Sequence, residues 1–400
     1  MSLYVTPNET IGASDAESIR AAIALAVRNG TNRVRIPKRN ERTGEDLWVI
    51  DETVELPDNI ELLIDDAHLV LAEGKYLNMF SAGDPNRECG RTEARAVRNI
   101  VLRGRGQAVL DGGVYNGLSE KTSEKDGRPH IVKNTTLLFF NVDGLLVENL
   151  SVVNQRWWGI TNIFVRNAVF RNIHFKADFS RIDENGVHHP DEAPRCYNEV
   201  YIKNADGIDL RIGCYNVRIE NISGFTEDDS VALTALGRFE RRLGYLVEGM
   251  STDIHDVEIR NVSTNCYCSS VRLLNDNGNK LYNVTVDGVT SCQAYPEHTT
   301  HAVRIGDSIY ADTPSVLGDT HHITVRNVLS SATYAVAICK GLVDSVIENV
   351  TAEAGEVGVG VHLRHSAELC RCRIQNVMAI SAETVAVCTD RMTLTDCELI

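Results

Sequence analysis

Three aspartates at a telling spacing carry the chemistry available to this chain. Asp206 lies in Asn204-Ala205-Asp206-Gly207-Ile208-Asp209, and Asp228 and Asp229 lie in Glu227-Asp228-Asp229-Ser230-Val231-Ala232-Leu233. Asp206 and Asp229 each stand two positions before an aliphatic residue, Ile208 and Val231. Side chains of a strand alternate between its faces. If the two runs are strands on successive turns of a coiled sheet, Asp206 and Asp229 point the same way, on rungs about 4.8 Å apart. Asp228 crowds the same place. Carboxylates gathered in one spot repel, so one proton is held more tightly there than in water. Such a site can keep one carboxyl protonated as an acid while another serves as a base. Acidic turn residues, or calcium ligands on an inert scaffold, are the alternative reading of the same side chains.

The elements that must position these residues repeat. An aliphatic residue, a charged or polar one, Asn and a small aliphatic recur as Val147-Glu148-Asn149-Leu150, Phe170-Arg171-Asn172-Ile173, Ile219-Glu220-Asn221-Ile222 and Ile259-Arg260-Asn261-Val262. They return as Val325-Arg326-Asn327-Val328, Ile347-Glu348-Asn349-Val350 and Ile374-Gln375-Asn376-Val377. A period in the twenties with one strand phrase per turn marks a solenoid. Strand-rich content with few helices selects an all-β fold, a parallel β-helix rather than a leucine-rich horseshoe. The repeated Asn is expected to stack at a turn, its amide bonding to its neighbours.

One helix is expected before the coils. Ser14 and Glu17 form a capping-box pattern, and Gly30 suits its C-terminal stop. Ile19, Ala22, Ile23, Ala26 and Val27 make one apolar stripe. The expected organisation is a single continuous domain, with the capping helix and first coils in residues 1–98 and the rest of the β-helix in 99–400. Longer gaps between repeats mark insertions at residues 176–198, with His188-His189-Pro190, at 237–253, with Arg238, Arg241 and Arg242, and at 296–301 and 309–320. All fall near the acidic centre, where they are expected to wall a groove. The last strand phrase, Leu394-Thr395-Asp396-Cys397, would leave backbone groups open. Self-association as a homo-oligomer, or a further C-terminal piece, is therefore an expectation.

The totals bound the function classes. A formal charge of −15 argues against nucleic acid, whose phosphates need a basic face. No run of about 18 apolar residues is present, so no membrane span is expected. Met1-Ser2-Leu3-Tyr4 does not begin an export signal, which leaves a cytoplasmic protein or one whose signal has been removed. The 11 cysteines lack metal-ligand spacing. Cys266 and Cys268, like Cys370 and Cys372, read as pairs on one face of a strand, packed as small apolar groups. No metal and no cofactor is expected.

The stretch from Asn204 to Leu233 resembles polygalacturonase-type glycoside hydrolases of family 28, within the pectin-lyase-like superfamily, which implies a right-handed parallel β-helix. Their pattern is Asn-Thr-Asp, then Asp-Asp about one coil later, then Gly-His-Gly, then Arg-Ile-Lys. The resemblance spans residues 141–307 and includes the coil 154–164 with Trp157-Trp158, which could stack on sugar rings. It implies hydrolysis of a pectin-like or related poly- or oligosaccharide with inversion. Asp229 would protonate the leaving oxygen, and Asp206 and Asp228 would activate water. Inverting enzymes keep their carboxyls roughly 6.5–9.5 Å apart to seat that water.

The departures redirect the expectation. The family His falls at Ser269, and Arg-Ile-Lys becomes Arg304-Ile305-Gly306. In the family those two cations hold the substrate carboxylate, so the sugar here need not be galacturonate. The register aligns Asp206, Asp229, Ser269 and His301 in one outward column, and Asp209, Ala232, Arg272 and Arg304 in another. His301 is expected to reach past small Ser269, and Arg272 and Arg304 to form a cationic pair for substrate; the other readings are a solvated β-helix face for His301 and Arg272, and a surface Arg paired with a neighbouring acid for Arg304. The competing readings are a polysaccharide lyase, with calcium-binding acids and an Arg base, and a non-catalytic glycan-binding protein.

Overall fold

Ser14 starts the helix Asp15–Arg28, its side chain accepting from the Glu17 N–H while Glu17 reaches back to the Ala13 N–H. Ile19, Ala22, Ile23 and Ala26 are buried, as the stripe requires, but Val27 is 45% exposed and lies off it. The helix is fastened by Asp15, which is fully buried and accepts from Asn40 Nδ2, Arg42 Nε and the Val49 N–H at 2.7–2.8 Å. A left-handed Gly30 (φ +71°) follows its end.

The computed structural model describes residues 3–84, 90–113, 134–155, 157–177, 181–182, 187–189, 191–192, 206–292, 299–307, 313–353, 359–363, 367–380, 385–388 and 392–400. The chain divides into two units, Met1–Asp206 with Val247–Gly249, and Gly207–Leu246 with Met250–Ile400. In the first, the strands Arg33–Pro37, Glu61–Asp65, Val97–Arg105, Leu137–Val153 and Trp158–Lys176 stack in parallel in that order. Within the first expected insertion, His188–His189 pairs with Arg181–Ile182 as a short antiparallel ribbon rather than a bare loop.

The second unit repeats one coil. One column of parallel strands runs Tyr215–Phe225, Ile254–Asn265, Leu281–Thr290, Thr320–Ser330, Val346–Ala352 and Arg373–Ala379. Another runs Asp206–Leu210, Val231–Ala235, Ser269–Asn275, His301–Ile305, Tyr334–Ile338, Val359–Leu363 and Val385–Cys388. Identical positions stack on identical positions: Val231 on Val271 on Val303 on Val336. This is the parallel β-helix read from the repeat, right-handed as the resemblance implied. Among the described residues no helix is long and apolar enough to cross a membrane.

The repeated asparagine explains the period. Asn149, Asn172, Asn221, Asn261, Asn327, Asn349 and Asn376 all adopt left-handed φ values between +53° and +60°. Asn tolerates that conformation because its short amide bonds locally. Here four amides also bond along the stack: Asn172 donates to Asn149 at 2.8 Å, Asn261 to Asn221 at 3.1 Å, Asn349 to Asn327 at 3.3 Å and Asn376 to Asn349 at 3.2 Å, while Asn327 donates to Asp287 at 2.6 Å. A second corner is lined by aromatic rings. Tyr215, His255, Tyr282 and His321 stack with centroids 4.8–5.0 Å apart and planes within 9°.

Candidate active site

The acidic residues stand where one strand column begins. Thr226 and Ser230 hydroxyls bond inside the coil at 2.7 Å, and Ser270 Oγ donates to the Thr264 carbonyl at 3.3 Å. The residue just before each first aliphatic is therefore turned inward, together with the aliphatic itself. Strict alternation would have sent Asp229 inward with Val231. The turn at Ser230 instead leaves the preceding position outside, where Asp229 Oδ2 lies 3.8 Å from Arg272 Nη1. Neighbouring turns are tied at one height, Gly207 N–H to Asp229 O (3.0 Å), Ser230 N–H to Ser269 O (2.9 Å) and His301 N–H to Cys268 O (2.9 Å).

Along the second expected column Asp209 pairs with Ala232, Ala232 with Arg272, and Arg272 with Arg304; of the first, Ser269 pairs with His301. Asp206 heads its strand and is buried, as is Asp229; Asp228 is half-buried. Ser269 is fully buried, and the His301 ring stacks on Tyr334 at 5.2 Å, with the planes 22° apart. All residues of Val231–Ala235 and Ser269–Asn275 are buried, so both faces of these strands are covered.

Two residues that the motifs did not single out complete the cluster. Asp307 accepts from Arg272 Nη2 at 3.0 Å and from Arg304 Nη2 at 2.5 Å. Burial works against the charge of Arg272, yet Asp229 and then Asp307 hold its guanidinium protonated beyond the ordinary arginine range. Cys268 does not lie on a strand with Cys266; both occupy the bend between two strands. Cys266 is buried, while Cys268 is half-buried with its sulfur gathered beside Asp228 and Asp229, one ligand atom of each within 4.8 Å of the others. Burial, then Asp228 and Asp229, push the Cys268 thiol well up, so it stands as a neutral donor. With that proton given up, two carboxylates and a thiolate would be a donor set that could hold a metal ion. The signal for Cys268 was present in the register, which aligns it with Asp228.

Of the other expected residues, Arg241 donates to Asn279 at 2.9 Å from a short helix, Arg238–Leu243. That helix is held by the fully buried Glu240, which accepts from Arg211 at 2.8 Å. Trp157 and Trp158 are both buried, with no face open to a sugar. Asn204 and Ala205, and within the expected loops residues 178–180, 183–186, Pro190, 193–198, 296–298 and 309–312, lie outside the described residues.

Neither a protein-family model nor a curated protein matches the sequence. Among solved structures, the chain is similar to the polygalacturonase of Erwinia carotovora ssp. carotovora, with 14% identity and a TM-score of 0.54 over 90% of this chain and 89% of that one. It is similar to a hyperthermoactive exopolygalacturonase of Thermotoga maritima, with 17% identity and a TM-score of 0.50 over 91% and 92%. It also matches PfbA, a surface adhesin of Streptococcus pneumoniae, with 12% identity and a TM-score of 0.47 over 96% and 93%. The likeness is one of fold, the β-helix of polygalacturonases and pectin-lyase-like proteins.

Proposed function

We propose that this chain is a glycoside hydrolase acting on a poly- or oligosaccharide, with Asp229 as the acid and Asp206 and Asp228 in the base role. The observation that carries this reading is the outward pair Asp228 and Asp229, whose oxygens approach within 4.8 Å at the head of one strand column. Hydrolysis of a glycosidic bond needs one carboxyl protonated and another ionised, and a crowded carboxylate pair favours that division. The names of the Erwinia and Thermotoga structures support a carbohydrate substrate. The short Asp228–Asp229 approach is tighter than the ~6.5–9.5 Å that seats an attacking water, so inversion places the water-activating role chiefly on Asp206. His301, Arg272 and Arg304 would contact the sugar.

The lyase reading is disfavoured by Arg272. A lyase base must give up a proton, and Asp229 and Asp307 hold this guanidinium protonated.

The test is a screen of defined oligosaccharides with the anomeric configuration of the product followed by NMR, beside Asp229→Asn. Turnover that falls at least 100-fold in the variant, with binding kept, supports the reading. Binding without cleavage in the wild type would make the protein a glycan-binding module. Unsaturated products, seen by ultraviolet absorbance, would restore the lyase.

A further inference from the structure

Two converging guanidinia form a seat for a planar carboxylate. In this protein the chain itself supplies the anion. Arg272 and Arg304 stand side by side in one column, and both donate to the same oxygen of Asp307, at 3.0 and 2.5 Å. Asp307 is 3% exposed and Arg272 7%, so the arrangement is largely withdrawn from water.

The backbone shows how this carboxylate is delivered. The strand His301–Ile305 is held to its neighbour as far as Gly306, whose N–H donates to the Leu273 carbonyl at 2.7 Å. Gly306 then adopts a left-handed conformation, φ +73°. That turn brings Asp307 back over Arg304, three residues earlier, and over Arg272 on the adjacent rung. A Cβ at position 306 would lie 2.8 Å from Lys340 Cβ and 3.1 Å from its nitrogen, so glycine is required by space as well as by φ.

We propose that Asp307 is a built-in carboxylate that fills the anion seat of the site and makes it select neutral sugars over uronates. The sugar part of this inference rests on the glycosidase reading above. A uronate carboxylate arriving here finds Nη2 of both arginines already bonded to Asp307. It must displace Asp307 or bear its repulsion. A hydroxyl meets no such barrier, because it can donate to Asp307 and accept from either arginine at once.

The test reads occupancy of the seat without requiring turnover. Thermal unfolding midpoints of wild type and Asp307→Ala are measured against rising galacturonate, galactose and acetate at constant ionic strength. Asp307→Ala should gain a saturable stabilisation by galacturonate and acetate, with an apparent Kd at least tenfold tighter than that of wild type. Galactose should not separate the two proteins. Should the Ala variant fail to fold, Asp307→Asn, which keeps the side-chain volume and removes the charge, carries the same comparison. Galacturonate and acetate that act equally on wild type and variant, or on neither, overturn the proposal. A wild type inert toward every oligosaccharide overturns the hydrolase reading instead, and leaves the anion titration to stand or fall by itself.

Discussion

Replacing Arg272 with methionine removes a charge and keeps most of the side-chain volume. In the wild type the guanidinium serves two acids, Asp307 at 3.0 Å and Asp229 at 3.8 Å. At an effective dielectric of about 20, unit charges that close attract by roughly 4 kcal/mol. A hydrogen bond to a charged group adds about 1.5–3 kcal/mol. Against these stands relief of the desolvation cost of a buried cation, several kcal/mol in its own right. Asp307 also keeps Arg304 at 2.5 Å. The net expectation is a loss of about 2–4 kcal/mol at pH 7, near the lower end for a buried pair with one partner removed. What remains behind is negative, so protonation should relieve it, and the gap should shrink below about 1 kcal/mol near pH 4. The sign follows from the proton balance. Arg272 is held protonated more tightly in the folded chain, so its own contribution is complete below the arginine range and fades only above it. Any pH dependence between 4 and 8 therefore belongs to the orphaned carboxylates. Urea unfolding by circular dichroism at both pH values, with unchanged m-values, measures the gap. Equal stability at pH 7, or a gap that does not change down to pH 4, would refute the assignment of Arg272 as the counter-charge of this cluster.

Further outcomes can be checked alongside. Asn349→Ala should cost about 1–2 kcal/mol, because Ala at φ +54° is strained and the amide bonds to Asn327 and Asn376 are lost; Asn349→Gly should recover most of the strain and none of the bonds, so urea midpoints should rank wild type, Gly, Ala. Gly306→Ala should displace Asp307 and reproduce part of the galacturonate response of Asp307→Ala, read by the same thermal titration. Burial, then the nearby His322, lower the affinity of His321 for its proton in the folded chain, so its contribution is present above the ordinary histidine range and is lost as pH falls through it; His321→Phe should keep the ring stack and flatten that decline in a stability–pH profile. Cys268, with its thiol pushed up, should react with iodoacetamide at pH 8 at least tenfold more slowly in the native protein than in urea, as peptide mass spectrometry would show.

The columns of this fold were legible because each rung repeats the same inward aliphatic. Val231, Val271 and Val303 announce their alignment, and with it the alignment of Ala232, Arg272 and Arg304. The Asn ladder was legible for the same reason. Asp307 was not. It lies beyond its strand, and only the left-handed turn at Gly306 returns it to the arginines; a strand pattern carries no record of such a turn. Cys268 was read as packing because a Cys-x-Cys spacing suggests one strand face, whereas the pair straddles a bend and splits inside from outside. Val27 joined the helix stripe by period, and its exposure shows that the stripe is narrower than the period alone implies.

The asparagine stack sets a quantum for change in this protein. Where a rung hands its amide back to the one before, as Asn349 does to Asn327, material can be added or removed only in lengths that return one left-handed asparagine to the place of another, such as the 22 positions from Asn327 to Asn349. A shorter excision would misalign every corner beyond it, while a whole-winding excision would merely bring distant loops one storey closer. Evolution on such a frame proceeds by counted windings, and the variety has to be written at the corners.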